Sequence, residues 1–114
     1  QLLKAWGEHQ RGKIDAALGE YQAVLQRNPE LPNGWCYLGI ALHDKKQYKL
    51  AVDAYRHAIR LQPTFPIAWN NMGNSLRFLS EFDQAEEAFA KALQQKPDYV
   101  NAYKNRAALR ATQG

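Results

Sequence analysis

Residues 66–99 read PIAWNNMGNSLRFLSEFDQAEEAFAKALQQKPDY, and residues 32–65 read PNGWCYLGIALHDKKQYKLAVDAYRHAIRLQPTF. Set one above the other, the two stretches agree in size and polarity at an offset of 34. Pro29, Pro63 and Pro97 keep that offset, as do Trp35, Trp69 and Tyr103, and Leu31, Phe65 and Tyr99. It also relates Ile14, Tyr48 and Phe82; Ala17, Ala51 and Ala85; Tyr21, Tyr55 and Phe89; and Leu25, Ile59 and Leu93. Small residues recur four times, at Ala5, Gly39, Gly73 and Ala107. Inside one period, Trp69, Met72, Gly73 and Leu76 fall at i, i+3, i+4 and i+7, and Phe82, Ala85, Phe89, Ala92 and Leu93 follow the same helical rule. Each period thus encodes two amphipathic helices. The second stops at a proline, which lacks the N–H and clashes with the preceding turn.

Extended along the chain, this pattern predicts helices near 2–11, 13–28, 32–45, 48–61, 66–79, 82–95 and 100–112, and no strands. The turns within pairs are short: Gln10–Lys13, Asp44–Gln47 and Ser80–Glu81. One hairpin cannot bury its own apolar stripe, so the expectation is an all-α solenoid of stacked antiparallel hairpins rather than a closed bundle. Gly39 and Gly73 sit mid-helix, where glycine costs about 1 kcal/mol relative to alanine. The expected return is close helix approach, with Ala51 and Ala85 facing bare backbone. Trp35 and Trp69 are expected to fill the space between successive hairpins.

Composition narrows the class. The 114 residues are 46% hydrophobic and 23% charged, enough to build a core and unlike a disordered tail. The longest apolar run, Leu38–Leu42, is far short of the roughly 20 residues of a membrane helix. A single cysteine, Cys36, rules out an internal disulfide. Gln1–Arg11 has no signal-peptide pattern, which with the cysteine usage favours a cytoplasmic setting; the missing initiator methionine suggests a piece of a longer protein. Fifteen Lys and Arg against 11 Asp and Glu give a net charge of +4, which permits an acidic partner without demanding one.

Trp35, Leu38, Gly39, Tyr48, Ala51, Tyr55, Ala58 and Pro63, and again Trp69, Met72, Gly73, Phe82, Ala85, Phe89, Ala92 and Pro97, form a pattern that resembles the tetratricopeptide repeat. The pattern weakens at the ends, where Lys4 and Arg106 occupy the place of Leu38 and Met72. The resemblance implies one domain: a partial repeat at 1–31, repeats at 32–65 and 66–99, and a half repeat or capping helix at 100–114. It also implies a right-handed superhelix whose concave groove is lined by the first helix of each hairpin. Members of the family usually bind peptides or partner proteins and rarely catalyse.

Opposite the packed stripe of the first helices lie Ile67, Asn70, Asn71, Asn74, Arg77 and Phe78. One repeat earlier the same face carries Asn33, Cys36, Tyr37, Ile40, His43 and Asp44, and one repeat later Asn101, Lys104, Asn105 and Ala108. Asparagine is a poor helix former, so the cluster works against local structure. Its amide both donates and accepts, and a row of amides can grip the backbone of an extended peptide of any sequence. Asn71 and Asn105, 34 apart, are similar to the asparagine ladder in the repeat domain of O-linked N-acetylglucosamine transferases and related bacterial repeat proteins. The equivalent earlier sites are Tyr37 and Leu3, so only part of that ladder carries over. The alternative is that Asn71 and Asn74 bond neighbouring helices or water. The carboxylate clamp known in the family needs basic residues and Asn in a set pattern; the matching sites here include Cys36, Ile40, Asn71, Asn101 and Asn105, without the lysines and arginine, so it is not expected.

Other signals have structural readings. His9 and His43 are 34 apart with Arg77 next in register, but no acidic or thiol ligand recurs there, so a basic column is expected rather than a metal site. Cys36 reads as a small apolar filler. Glu81, Asp83, Glu86 and Glu87 suit a helix N-terminus better than a catalytic dyad. Lys45, Lys46, Lys49, Arg56 and Arg60 read as a solvated edge, and nucleic acid is not the expected partner. The sequence therefore points to a non-catalytic module without cofactor that docks a peptide or partner protein. Asn33, Tyr37, Ile40, His43, Asn70, Asn71, Asn74, Arg77, Asn101, Lys104 and Asn105 are the expected contacts, with His43, Arg77 and Lys104 favouring acidic side chains. Two alternatives stay open: a substrate-recruiting arm of a larger enzyme such as a glycosyltransferase, and self-association through the solenoid ends.

Overall fold

The computed structural model describes residues 2–113; Gln1 and Gly114, the outer limits of the expected division, lie outside the described residues. Seven helices follow one another: α1 (Leu2–Gln10), α2 (Ile14–Arg27), α3 (Pro32–Asp44), α4 (Tyr48–Leu61), α5 (Pro66–Phe78), α6 (Phe82–Gln95) and α7 (Val100–Gln113). No strand occurs among the described residues, and none of their helices is long and apolar enough to cross a membrane. Each predicted helix is present, with ends displaced by a single residue at most.

Local chemistry explains these boundaries. Pro32 and Pro66 open α3 and α5, where the missing N–H has no helical partner in any case. At the other end, Asn28, Gln62 and Lys96 leave the helix with nearly equal angles (φ −144°, −140° and −138°). Each precedes a proline, whose ring disfavours the helical conformation of the residue before it. Within the hairpins, Gly12, Lys46 and Ser80 stand 34 apart and all adopt positive φ, at 85°, 62° and 62°. The Lys46 N–H donates to the His43 carbonyl and the Gln47 N–H to the Leu42 carbonyl; Ser80 and Glu81 repeat this with Arg77 and Leu76. This is the Schellman closure, which favours glycine at the left-handed position. The first hairpin has glycine there and the next two do not.

The helices alternate between two roles. α1, α3, α5 and α7 touch in succession, whereas α2, α4 and α6 touch none of their own kind. The first set is therefore the inside of a curve and the second the outside, in a body 41 Å long and 25 by 22 Å across. Inside each hairpin the tightest contact is a ring on a glycine. A Cβ at Gly39 would stand 2.5 Å from the Tyr55 ring, and one at Gly73 2.7 Å from Phe89. This corrects the expectation for Ala51 and Ala85: they are buried, but the atoms lying on the bare backbone belong to the aromatic residue one turn later.

Trp35 and Trp69 are half-buried rather than enclosed, and each indole N–H donates to a proline carbonyl six residues earlier, at 2.8 Å (Pro29) and 3.3 Å (Pro63). The Tyr103 hydroxyl does the same to Pro97 at 2.9 Å. These bonds pin the turn between hairpins to the next helix. At the last junction the chemistry changes. Where Val52 and Leu76 are buried in one repeat, Glu86 and Arg110 pair at 3.2 Å in the next, so α7 is docked in part by charge.

Gly73→Ala should destabilise the fold by about 1–2 kcal/mol, since overpacking against Phe89 outweighs the gain in helix propensity. Gly19→Ala, whose Cβ meets nothing within 4 Å, should instead stabilise by about 0.5–1 kcal/mol. Urea denaturation of both variants checks the pair; a stabilised Gly73→Ala refutes the ring-on-glycine constraint. Lys46→Gly and Ser80→Gly should each raise stability by about 1 kcal/mol by relieving the left-handed backbone, which the same titration measures.

Candidate functional site

The inner wall is built from α1, α3, α5 and α7. Polar side chains join its neighbouring helices, one pair per junction. His9 Nε2 and Asp44 Oδ2 lie 2.6 Å apart between α1 and α3. His43 Nδ1 and Ser75 Oγ lie 2.8 Å apart between α3 and α5. Asn105 Nδ2 donates to Asn70 Oδ1 at 3.0 Å between α7 and α5. Each such bond is worth about 1 kcal/mol net, and more is lost if one member is left unpaired in a buried setting.

These bonds sort the expected contact residues. Asn70 is 3% exposed and its carbonyl is occupied by Asn105, so the structure removes it from the ligand-facing amides: it is part of the frame. Asn105 is half-buried and directs one amide hydrogen to that frame, so it does not stand free above Asn71. Asn74 accepts from Arg77 Nη2 at 2.7 Å through its oxygen, which leaves its NH2 group uncommitted. The Arg77 guanidinium lies 4.8 Å from the Phe78 ring centre. Asn71 is half-buried and makes no hydrogen bond to any described residue. Asn33, Asn101 and Lys104 are exposed at the rims.

Ile40, His43, Asp44, Tyr55, Asn71 and Asn74 enclose a cavity of about 310 Å³. Three other clefts have larger volumes, about 380 Å³ around Trp69, 370 Å³ around Val52 and 660 Å³ around Trp35. The floors at Trp69 and Trp35 are apolar, and Arg56 and Arg60 at the Trp69 cleft already bond Gln84 and His57. The inner cavity differs in lying on the concave wall, and four polar side chains, His43, Asp44, Asn71 and Asn74, are among its six lining residues. Beside it, Tyr37 is stacked between Trp6 (5.1 Å) and Tyr21 (5.9 Å), an aromatic column across the first three helices. Trp6 was not among the expected contacts, yet it stands 34 before Ile40, the offset that places it on this wall.

The titratable groups are tuned by burial. The His43 imidazole is held below its ordinary pKa, first because it is removed from water and further by the Arg77 charge, with Asp44 opposing. It is edge-on to Tyr48 and Phe78 and carries no charge at neutral pH, so it does not add to a basic column. Burial pushes the Cys36 thiol up to about 12, which makes it inert as a nucleophile. No group of three or more metal-ligating side chains occurs among the described residues.

The tetratricopeptide repeat profile matches residues 32–65 and 66–99, and a second profile of the same repeat matches 8–46. The chain belongs to the tetratricopeptide repeat family. No curated protein matches it in sequence. Among solved structures, the first TPR of Spaghetti (RPAP3) bound to the HSP90 peptide SRMEEVD superposes with a TM-score of 0.92 at 18% identity, covering 96% of this chain and 87% of that one. MamA superposes with a TM-score of 0.88 at 21% identity, covering 96% and 64%. The Thermobaculum terrenum O-GlcNAc transferase gives 0.91 at 25% identity, and this tetratricopeptide chain, 95% covered, spans 21% of that enzyme.

The lowered His43 pKa sets a pH dependence. The unfolded chain takes up a proton near the ordinary value of 6.5 while the folded chain resists it, so His43's contribution to stability is whole above that pH and is lost as pH falls below it. Thermal denaturation should give a lower Tm at acidic than at neutral pH, and His43→Gln should shrink the difference. An unchanged difference in the variant places the effect elsewhere.

Proposed function

We propose that this chain is a non-catalytic docking module that takes an extended peptide, or an extended segment of a partner protein, along its concave wall. The observation that carries this reading is Asn71: a half-buried amide, unbonded within the described residues, at the edge of the inner cavity and beside the uncommitted NH2 of Asn74. An amide so placed can accept a peptide N–H and donate to a peptide C=O, which is recognition of backbone rather than of sequence. The polar bonds at each junction hold the wall in place before a ligand arrives, which lowers the ordering cost of binding.

In this reading repeats 32–65 and 66–99 form the centre of the site, with 1–31 and 100–114 as its flanks. Asn71 and Asn74 are the backbone grips, and Tyr37 and Ile40 the apolar contacts. Asn33, Asn101 and Asn105 extend the polar track, and His43 stands at the cavity as a neutral partner. Arg77 and Lys104, which do not line the cavity, meet acidic side chains further along the ligand. The peptides held by the RPAP3 domains support the peptide class of ligand. The O-GlcNAc transferase likeness favours a second reading, in which the same wall recruits substrate for an enzyme of which this chain is an arm.

A random dodecamer display library panned against the folded chain should yield peptides that compete with one another. Asn71→Ala combined with Asn74→Ala should weaken them by about tenfold or more, as the loss of two or more hydrogen bonds implies. Failure to recover competing binders, or unchanged affinity in a variant with the native circular dichroism spectrum, overturns the reading.

A further inference from the structure

We infer that the inner cavity seats one cationic side chain, lysine or arginine, of the bound peptide. This rests on the docking reading above and names the chemistry of its central subsite. It runs against the net charge of +4 and against the acidic preference that His43, Arg77 and Lys104 suggest from the sequence.

The cavity has six lining residues, and Asp44 is the one among them that bears charge. Its side chain is 43% exposed. Oδ2 is met by His9 Nε2 at 2.6 Å, and no described residue meets Oδ1. The His9 side chain is 6% exposed and reaches Asp44 through Nε2 alone, so its contact engages one carboxylate oxygen and leaves the other open toward the cavity. The His43 ring is neutral, for the reasons given above.

The cations nearby do not fill the role. Arg77 is turned onto Asn74 and the Phe78 ring and does not line the cavity. Lys104 is exposed on α7, and Lys45 is engaged with Asp15 at 2.7 Å. What remains is a half-exposed carboxylate with one oxygen unmet and the unbonded Asn71 amide lining the same cavity. Ile40 supplies the apolar surface along which a lysine or arginine stem can lie while its charged head reaches a polar partner, and the buried Tyr55 ring closes the floor. A volume of about 310 Å³ suits a single long side chain. The bond between that head and Asp44 would be charge-assisted, the stronger kind.

The test is deep sequencing of the same display library after selection on wild type, Asp44→Asn, Asp44→Glu and Asn71→Ala. The wild-type pool should show Lys or Arg enriched at one position by about tenfold. The enrichment should vanish with Asp44→Asn, survive with Asp44→Glu, and keep its position among the fewer peptides recovered by Asn71→Ala. Binders without that enrichment, or with Asp or Glu at the selected position, overturn this inference and leave the docking reading standing. An enrichment that persists unchanged in Asp44→Asn also overturns it. No binders at all from wild type overturns both. Because the wild-type pool alone can refute the cationic subsite, the inference stays open to refutation if a variant folds poorly.

Discussion

The packing of an aromatic ring onto a bare stretch of backbone is the contact on which the architecture turns. Tyr55 on Gly39 and Phe89 on Gly73 bring the two helices of a hairpin closer than any side chain at the glycine would allow. Both rings are almost fully buried, at 1% and 0% exposure, so neither can swing away to admit a methyl group. Helix propensity is sacrificed at the glycine and recovered in ring burial, which is worth more per residue. Repeated at an offset of 34, the same hairpin stacks on itself, and inner helices that touch while outer ones stand apart turn the stack into a curve.

Curvature creates a wall, and the wall's chemistry comes from how its polar groups divide. One set joins each layer to the next: His9 with Asp44, His43 with Ser75, and Asn70 with Asn105. A polar group held between helices resists sliding of one layer on another, because a bond lost there leaves a donor or acceptor stranded. Others are not consumed in this way, and three of them, Asn71, the NH2 of Asn74 and the second oxygen of Asp44, gather at one cavity while Asn33, Asn101 and Lys104 stand at the rims. A rigid frame with unused bonding capacity at one place is what a binding surface requires.

The fold could be read from the chain because its causes are local or periodic. Proline after each second helix, short turns and apolar residues at i, i+3, i+4 and i+7 specify helices one at a time, and the offset of 34 specifies that they stack. The site was legible only in outline. The inner face and the place of Asn71 on it follow from register. The fate of Asn70 does not, because adjacent asparagines differ only in which way their side chains turn, and that depends on Asn105, 35 residues away. Trp6 does not stand out in the repeat pattern, because the offset of 34 pairs it with Ile40 and not with Trp35.

Sequence alone determined the seven helices, their pairing and the small residue at the centre of each hairpin, since these depend on backbone sterics and on a periodicity written in the residues themselves. Tertiary structure decided which ring covers each glycine, which amides are locked into the frame, and that a carboxylate, in a chain of net positive charge, is the charge facing the cavity. The reason is physical: local preferences are summed along the chain, whereas hydrogen bonds, burial and charge at a site depend on which distant partner arrives within about 3 Å.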